Sequence, residues 1–265
     1  MPIIENHRLE YEMDSIKVTY PDIGQMTYNG SFPLIVPNNW TPTPKVSVNK
    51  GDIITIDDKQ YRVLKTEGTV AEVLCMYDVN SSIAFDSVPS GYNNTYAGKN
   101  IDTYCNNTFY SGLSAAMKSA IVDKTFTQDS WAQASSVPTQ SHYTGKYGST
   151  TYYLMLANAA YGSSITRHCY CLSIQDVLDY LEATTSMGTS DTTLTDTNIW
   201  KLFWNATTSQ IGKYIWLRSA SSSGSLTAFD VRGYDGLLDR NYVSDTFPAR
   251  PAFQIDLSKV EWTKE

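Results

Sequence analysis

The sequence predicts an α+β domain that follows an extended N-terminal arm. Residues 46–78 and the C-terminal part alternate β-branched and polar residues as strands do, and three segments between them space apolar residues as helices do. With 265 residues, 42% of them hydrophobic and 18% charged, the chain can bury a core without disulfides. We therefore expect an arm over residues 1–45 and one domain over residues 46–265.

The first 45 residues show no helical period and contain scattered Pro and Asn, ending in FPLIVPNNWTPTPK. This pattern favours an extended arm or a small β element, with a partly disordered terminus as the alternative. Its apolar residues, if exposed, would suit docking onto a partner. The arm is therefore a candidate for attachment to a larger particle or for assembly into a homotrimer; the apolar residues concerned are Ile3, Ile4, Leu34, Ile35 and Val36.

The strands come in two groups. From Val46 the sequence VSVNKGDIITIDDKQYRVLKTEGTVAEVLCMYD alternates apolar residues between turn signals at Lys50-Gly51, Asp57-Asp58 and Glu67-Gly68. Near the C-terminus, KYIWLRSA, LTAFDV and RPAFQIDL also read as strands. We predict a three-stranded antiparallel start, with the two ends of the domain meeting in one sheet.

Three segments predict helices. TFYSGLSAAMKSAIV repeats large apolar residues every four positions, and SIQDVLDYLEA opens on a capping box formed by Ser173 and Asp176. TDTNIWKLFWN predicts a shorter third helix. The core-facing residues would be Phe109, Leu113, Met117 and Ile121 in the first helix, and Ile174, Val177, Leu178 and Leu181 in the second.

Charge and hydropathy exclude several partner classes. The formal net charge is −7, the pI is near 5.0, and Lys and Arg form no cluster, so nucleic acid and anionic membranes are poor partners. The sequence contains no run of about 18 apolar residues, the length needed to span a membrane. The N-terminus lacks the apolar core of a secretion signal. We expect synthesis in a cytosol without an export signal, from which the protein could still leave inside a larger particle.

The sequence contains no recognisable catalytic arrangement. Its three histidines lie in no nucleophile-elbow or zinc-protease motif, and no glycine-rich phosphate loop is present. The run RHCYC brings His168, Cys169 and Cys171 together, but it lacks the paired spacing of structural zinc sites. In a strand the two cysteines would share one face and pack in the core. We expect no enzyme, no cofactor and no metal, and the role of these three residues stays open.

Residues 217–253 lack five residue types that are used freely elsewhere. Lys, Glu, Gln, Met and Trp make up 42 of 265 residues, about one in six, yet this 37-residue window contains none. An ordinary Ser-, Gly- and Asp-rich surface loop is one explanation. The other is genetic, because these are the residues whose codons all end in a purine. Replacing both adenines of an Asn codon that ends in a pyrimidine can yield neither these five residues nor a stop codon.

Within the window the residues fall into two sets. The first, taken together with Trp216 just before the window, has the composition of a structural frame: Trp216, Leu217, Arg218, Ala228, Phe229, Val231, Gly236, Val243, Ala249, Arg250, Pro251, Ala252 and Phe253. The second has no hydrophobic period and is predicted to contact a ligand: Ser221, Ser223, Gly224, Leu226, Thr227, Asp230, Arg232, Tyr234, Leu237, Asp239, Arg240, Asn241, Tyr242, Ser244, Asp245, Thr246 and Phe247. We call the first set the frame residues and the second the contact residues.

The stretch WLRSA…AFDV…G…V…ARPAFQIDL resembles the variable region of proteins diversified by retroelements, the hypervariable ligand-binding proteins of phages and bacteria. That resemblance implies a C-type lectin-like fold of the formylglycine-generating-enzyme branch, with a small twisted antiparallel sheet and flanking helices. It also implies a variable region at about residues 217–248. The body from about Val46 to Val260 resembles a domain found in gut Firmicutes and their phages.

The function implied by the resemblance is recognition of a host-surface protein or glycan by a hypervariable surface. A virion tail is the expected location, with the cell surface by an unidentified route as the alternative. Tyr234, Tyr242 and Phe247 would be the main anchors, followed by Arg232 and Arg240. A carbohydrate-binding or structural virion module of fixed specificity stays open. An oxidase of the formylglycine-generating type is disfavoured because no Cys follows Cys171.

Overall fold

The computed structural model divides the chain into two units, Met1–Ser47 and Val48–Glu265. The larger unit contains the main sheet, the helices and the window that lacks five residue types. The structure describes residues 7–9, 16–20, 24–28, 34–36, 47–77, 79–87, 94–127, 141–147, 150–156, 164–182, 196–203, 214–221, 226–232, 236 and 238–265.

The described residues of the N-terminal unit, apart from Ser47 at its end, are all in strands. These are β1 His7–Leu9, β2 Ile16–Tyr20, β3 Gly24–Tyr28 and β4 Leu34–Val36. Strand β1 pairs with β4, and β2 pairs with β3, both antiparallel. The apolar run at 34–36, proposed above as part of a docking segment, thus provides backbone partners for β1.

The larger unit alternates strands with short helices. Its strands are β5 Ile53–Ile56, β6 Lys59–Glu67, β7 Val70–Cys75, β8 Asn80–Ala84, β9 Ile121–Val122, β10 Lys124–Thr127, β11 Ser141–Tyr147, β12 Thr150–Leu156, β13 Ser164–Arg167, β14 Cys169–Tyr170, β15 Tyr214–Ala220, β16 Thr227–Arg232, β17 Leu238–Tyr242, β18 Thr246–Ala249, β19 Ala252–Asp256 and β20 Thr263–Lys264. Its helices are α1 Asn100–Thr103, a π-helical stretch Tyr104–Phe109, α2 Tyr110–Gly112, α3 Ala115–Ala120, α4 Ile174–Leu181 and α5 Asp196–Phe203.

The main sheet joins both ends of this unit in the order β14-β19-β7-β6-β5-β20, with β9 also paired to β19. The predicted three-stranded antiparallel start is confirmed as β5, β6 and β7. The turns fall at Asp57-Asp58, which both have positive φ, and at Gly68 with φ 60°. The prediction that the two ends meet in one sheet is also confirmed, because β19 pairs with β7 and β20 with β5.

Two hydrophobic clusters hold the unit together. One contains Ile54, Val63, Val73 and Phe253 of the main sheet, packed with Met117 and its neighbours in the helical segment. The other gathers residues of α4, α5, β15 and β16, with aromatic side chains at its centre. The second cluster is the base on which strands β15, β16 and β17 lie, so it fixes the position of the window analysed above.

The expected α+β C-type lectin-like fold is wrong, because the structure is mostly β. Strand residues outnumber helical residues by more than two to one in the described residues. Part of the reason is that segments expected to be connections are strands, namely β17 and β18 in the C-terminal window and β10 and β13 farther upstream. These strands contain polar residues at many positions, so their hydrophobic alternation is weak.

The first predicted helix is also wrong as a continuous element. The stretch breaks at Leu113, whose backbone is extended, and Ser114 then caps a new helix by accepting a hydrogen bond from the Met117 amide at 3.1 Å. Ile121, expected on the helical stripe, begins β9 instead. By contrast, α4 begins with the predicted capping box of Ser173 and Asp176. The third predicted helix is present as α5.

No helix among the described residues is long and apolar enough to cross a membrane.

Candidate ligand-binding surface

The frame residues belong to a three-stranded antiparallel sheet, β15-β16-β17, and to the strands next to it. Residues from both faces of this sheet enter the second hydrophobic cluster, with Ile215, Phe229 and Val231 on one face and Ala228 on the other. On the same strands Trp216 is buried against Phe85, with ring centroids 5.6 Å apart, and donates a hydrogen bond from Nε1 to the Ile83 carbonyl at 2.8 Å. The sheet is therefore fixed to the body by large buried side chains.

Arg218 fixes the sheet to helix α4. Its guanidinium donates to the carbonyl of Cys171 at 2.7 Å and to the carboxylate of Asp176, and it lies 4.1 Å from the centre of the Phe126 ring. Burial alone would favour a neutral Asp176, but Arg218 and then Lys124 hold the pKa of that carboxyl well below its usual range. The frame is thus braced electrostatically as well as by packing.

Every frame residue is buried. This holds for Trp216, Leu217, Arg218, Ala228, Phe229, Val231, Gly236, Val243, Ala249, Arg250, Pro251, Ala252 and Phe253.

The contact residues, by contrast, are mostly exposed. Of the thirteen that lie in the described part of the chain, eleven are partly or fully exposed: Leu226, Thr227, Arg232, Asp239, Arg240, Asn241, Tyr242, Ser244, Asp245, Thr246 and Phe247. These eleven residues are called the variable surface below. Ser223, Gly224, Tyr234 and Leu237 lie outside the described residues.

The most exposed part of the variable surface is at one end of strands β16 and β17. Thr227 lies opposite Tyr242, and the Val243 amide donates to the Leu226 carbonyl at 2.8 Å, so Leu226 and Tyr242 lie at the same end of the paired strands. Tyr242 is 61% exposed and Leu226 45%, the two highest values among the large exposed hydrophobic residues of the described chain.

Asp230 is the buried polar centre of the same sheet. Its side chain is fully buried, Oδ2 accepts a hydrogen bond from Asn241 Nδ2 at 2.9 Å, and Asp239 lies directly opposite on β17. Within the described residues, Oδ1 has no hydrogen-bond partner. Burial raises the pKa of Asp230 to about 8; the Asn241 hydrogen bond opposes this rise, and the nearby Asp239 adds to it.

Two contact residues are not placed where a ligand could touch them directly. Ser221 is completely buried: its amide donates to the Thr227 carbonyl at 3.3 Å, and its carbonyl accepts from Asn94 Nδ2 at 2.9 Å. Its expected contact role is corrected to a structural one. Asp230 is also fully buried, so its expected contact role is not supported by its position.

Phe247 is partly structural as well. Its ring packs against the rings of Trp216 and Tyr214, each with centroids 4.7 Å apart.

Asn94 is a residue of the site that the sequence did not indicate. Its side-chain amide donates hydrogen bonds to the carbonyls of Ser221 and Thr227, and it comes from a distant part of the chain. The same holds for Tyr214, whose contact with Phe247 depends on the pairing of strands.

A domain family covers nearly all of this architecture. The family described as domain of unknown function DUF6273 matches residues 73–257, more than two thirds of the chain. The chain belongs to the DUF6273 family. The match contains the frame and the variable surface, but it leaves out β5, β6 and β20, which complete the main sheet around the DUF6273 core. No curated protein and no solved structure is significantly similar to this chain.

An open cleft of 460 Å³ lies beside α4, away from the variable surface of the DUF6273 domain. Its charged groups pair with one another: Lys124 Nζ lies 2.7 Å from Glu72 and 3.4 Å from Asp176, and Lys50 Nζ lies 2.6 Å from Glu182. Tyr170 also donates to Glu72 at 2.8 Å. These pairs link α4 to the main sheet, which gives the charges of the cleft a structural explanation.

The cysteines of the DUF6273 domain are buried thiols. Cys105 Sγ and Cys171 Sγ lie 3.6 Å apart, and burial raises the pKa values of Cys75, Cys105 and Cys169. Cys169 and Cys171 do not share a face as expected: they pack in different hydrophobic clusters, because β14 ends at Tyr170. Among the described residues, no group of three or more His, Cys, Asp or Glu side chains is arranged to hold a metal ion.

His168 of the RHCYC run is on the surface rather than in the core. Its ring stacks on Tyr110 with centroids 4.2 Å apart, and its Nδ1 contacts the carboxylate of Asp123. Its amide donates to Asn106 Oδ1 at 2.8 Å. These contacts tie β14 to the helical segment, so His168 has a structural role available without any ligand.

Proposed function

We propose that this chain is a ligand-binding protein whose variable surface has been diversified by adenine mutagenesis of its gene. The observation that carries the proposal is the agreement between two independent divisions of the same window. One division was made from the sequence pattern, and the other is burial: the frame residues are all buried, and eleven of the thirteen described contact residues are partly or fully exposed.

The structure gives a physical reason why such a surface could vary. The exposed side chains lie at the ends of β16, along β17 and in residues 244–247, next to strands β15 and β16 whose interiors are buried on both faces, so replacing the exposed residues leaves most buried contacts intact. On β17 only Leu238, 2% exposed, is buried, whereas Tyr242 at the other end of the strand is 61% exposed. Recognition would then depend on the exposed residues while the fold depends on the frame.

The partner in this proposal is a protein or glycan on a host surface, and the location is a virion tail. Tyr242 supplies a large amphipathic side chain with few torsions to restrict, which makes it the main anchor among the described residues. A patch of this size gains affinity through multivalency. The N-terminal unit is the proposed element for trimer formation or attachment.

A display library tests the proposal without knowledge of the natural ligand. Six positions of the variable surface would be encoded by codons with two random bases and a final pyrimidine: Leu226, Thr227, Arg232, Arg240, Tyr242 and Ser244. We expect most members to fold, as judged by protease resistance, and selection against a panel of purified proteins and glycans to yield binders with distinct specificities.

The matched control randomises six frame positions in the same way: Leu217, Ala228, Phe229, Val231, Val243 and Ala252. Few members of this control library should resist protease, because each position is buried. If the surface library loses folding as often as the control, the division into frame and surface is wrong. A folded surface library that yields no binder to any target would instead favour a module of fixed specificity.

A further inference from the structure

Two of the four cysteines form a pair of buried thiols in the second hydrophobic cluster. Cys105 Sγ and Cys171 Sγ lie 3.6 Å apart, and neither side chain has any exposed surface. A disulfide bond joins sulfur atoms about 2.05 Å apart, so an approach of about 1.5 Å would allow this bond to form. The two residues are 66 positions apart in the sequence, so the bond would close a long loop.

The other two cysteines are not placed to compete for this bond. Cys75 and Cys169 pack in the first cluster, on strands β7 and β14. These strands pair with opposite edges of β19, so two strand spacings of about 4.8 Å each separate them. That separation exceeds the limit of about 7 Å between the Cα atoms of a disulfide. The native geometry therefore favours Cys105 and Cys171 as partners.

The surroundings of the pair show which side would move. The Cys171 amide donates to the Tyr96 hydroxyl at 3.1 Å, and its carbonyl accepts from the Arg218 guanidinium at 2.7 Å. Cys105 instead lies in the π-helical stretch Tyr104–Phe109, a hydrogen-bonding pattern that is rare and found mostly as single turns. An adjustment of this stretch would bring the Cys105 sulfur within bonding distance while the Cys171 backbone stays fixed.

We propose that Cys105 and Cys171 are a redox pair, present as thiols in a reducing cytosol and joined as a disulfide when the chain folds or opens in an oxidising environment. The oxidant is a small-molecule disulfide such as oxidised glutathione. The bond fixes the π-helical stretch to the segment that leads into α4. This inference is independent of the proposed function, because neither cysteine belongs to the variable surface.

The reaction consists of two thiol–disulfide exchanges. The thiolate of one cysteine attacks a sulfur of the oxidant, which forms a mixed disulfide and releases one small thiolate. The thiolate of the other cysteine attacks the protein sulfur of the mixed disulfide, forms the Cys105–Cys171 bond and releases the second small thiolate. The two cysteine protons end on the two released thiols. The protein pair thus loses two electrons, and the oxidant gains them.

Burial makes the pair slow to react in the folded chain. It raises the pKa of the Cys105 thiol, which keeps the reactive thiolate scarce, and neither residue is exposed to an oxidant. The exchange therefore takes place during folding or when the π-helical stretch opens. Because the same burial protects the finished bond from reductants, the pair changes state once and does not act as a rapid sensor.

The test refolds the full chain from urea into a buffer of reduced and oxidised glutathione, with a parallel sample refolded in dithiothreitol. We expect the glutathione sample to lose the mass of two hydrogen atoms and to keep two of its four thiols, counted by maleimide labelling after denaturation. Its urea midpoint should be about 1 M higher, because the closed loop restricts the unfolded chain. Amide hydrogen exchange in Tyr104–Phe109 should also be slower.

Alanine variants identify the pair. C105A and C171A should each refold with three free thiols, and glutathione should no longer raise their urea midpoints. C169A is the matched control, because Cys169 is equally buried and lies two positions from Cys171; it should still form the bond and keep one free thiol. If C105A or C171A does not fold, fragment-ion mass spectra of unreduced tryptic peptides from the parent chain assign the bond.

Four free thiols after refolding in the glutathione buffer would overturn the proposal. A bond that includes Cys75 or Cys169 would do the same, since it would show that the native geometry does not select the partners. A Cys105–Cys171 bond that lowers the urea midpoint would also overturn it, because the folded chain would then not accommodate the bond.

Discussion

Replacement of Trp216 by alanine is expected to lower the free energy of unfolding by about 3–5 kcal/mol. The indole is 1% exposed, packs against Phe85 and Phe247, and donates a hydrogen bond to the Ile83 carbonyl. Its removal leaves a cavity beneath the variable surface and an unpaired buried carbonyl. Urea denaturation followed by far-UV circular dichroism would measure the change.

The control is Tyr242→Ala, which removes another large aromatic side chain from the same sheet. Tyr242 is 61% exposed, so this change should alter the free energy of unfolding by no more than about 0.5 kcal/mol. A difference of several kcal/mol between the two variants is the energetic signature of a frame that carries a variable surface. Similar losses for both variants would contradict that division.

Replacement of Asp230 by asparagine is expected to stabilise the protein, and to do so more strongly as the pH rises. The pKa of Asp230 is about 8 in the folded chain and near 3.8 in the unfolded chain. Its contribution to stability is therefore fully present below about pH 3.8 and is lost as the pH rises to about 8. Each unit of pH in that range costs about 1.4 kcal/mol, so the advantage of D230N should grow by about 4 kcal/mol between pH 5 and pH 8.

Denaturation of D230N and the parent chain at several pH values measures this effect. The difference between their free energies of unfolding should rise to about pH 8 and then level off. D58N is the control, since Asp58 is an exposed side chain and its replacement should change stability little at any of these pH values. A difference for D230N that does not depend on pH, or one that shrinks as pH rises, would show that Asp230 is ionised in the folded chain.

Much of the fold follows from local patterns in the sequence. The strands β5, β6 and β7 alternate apolar residues between clear turn signals, and α4 has a capping box at its start, so both were predictable. Strands β17 and β18 could not be predicted, because the sequences LDRNY and TFPA do not alternate apolar and polar residues. These strands are defined by their pairing with β16 and β8. The first predicted helix failed because Ser114 begins a new helix within it.

The candidate site, like the fold, could be predicted only in part from the sequence. The sequence pattern separated the frame from most of the contact residues, because the buried positions of a sheet need apolar or tightly packed side chains. They could not show that Ser221 is buried or that Phe247 packs on Trp216, since both depend on contacts with residues far away in the chain. The unpaired oxygen of Asp230 is likewise a property of the folded sheet and has no signature in the sequence.

The central claim is that the variable surface has been diversified through its gene, and the nucleotide sequence of that gene and its flanks tests it most directly. We expect the codons of the contact residues to end almost always in C or T. We also expect a nearby near-copy of the window, with AAC or AAT at those positions, beside a reverse transcriptase gene. Codons that freely end in purines, with no second copy, would contradict the claim and leave the missing residue types to chance.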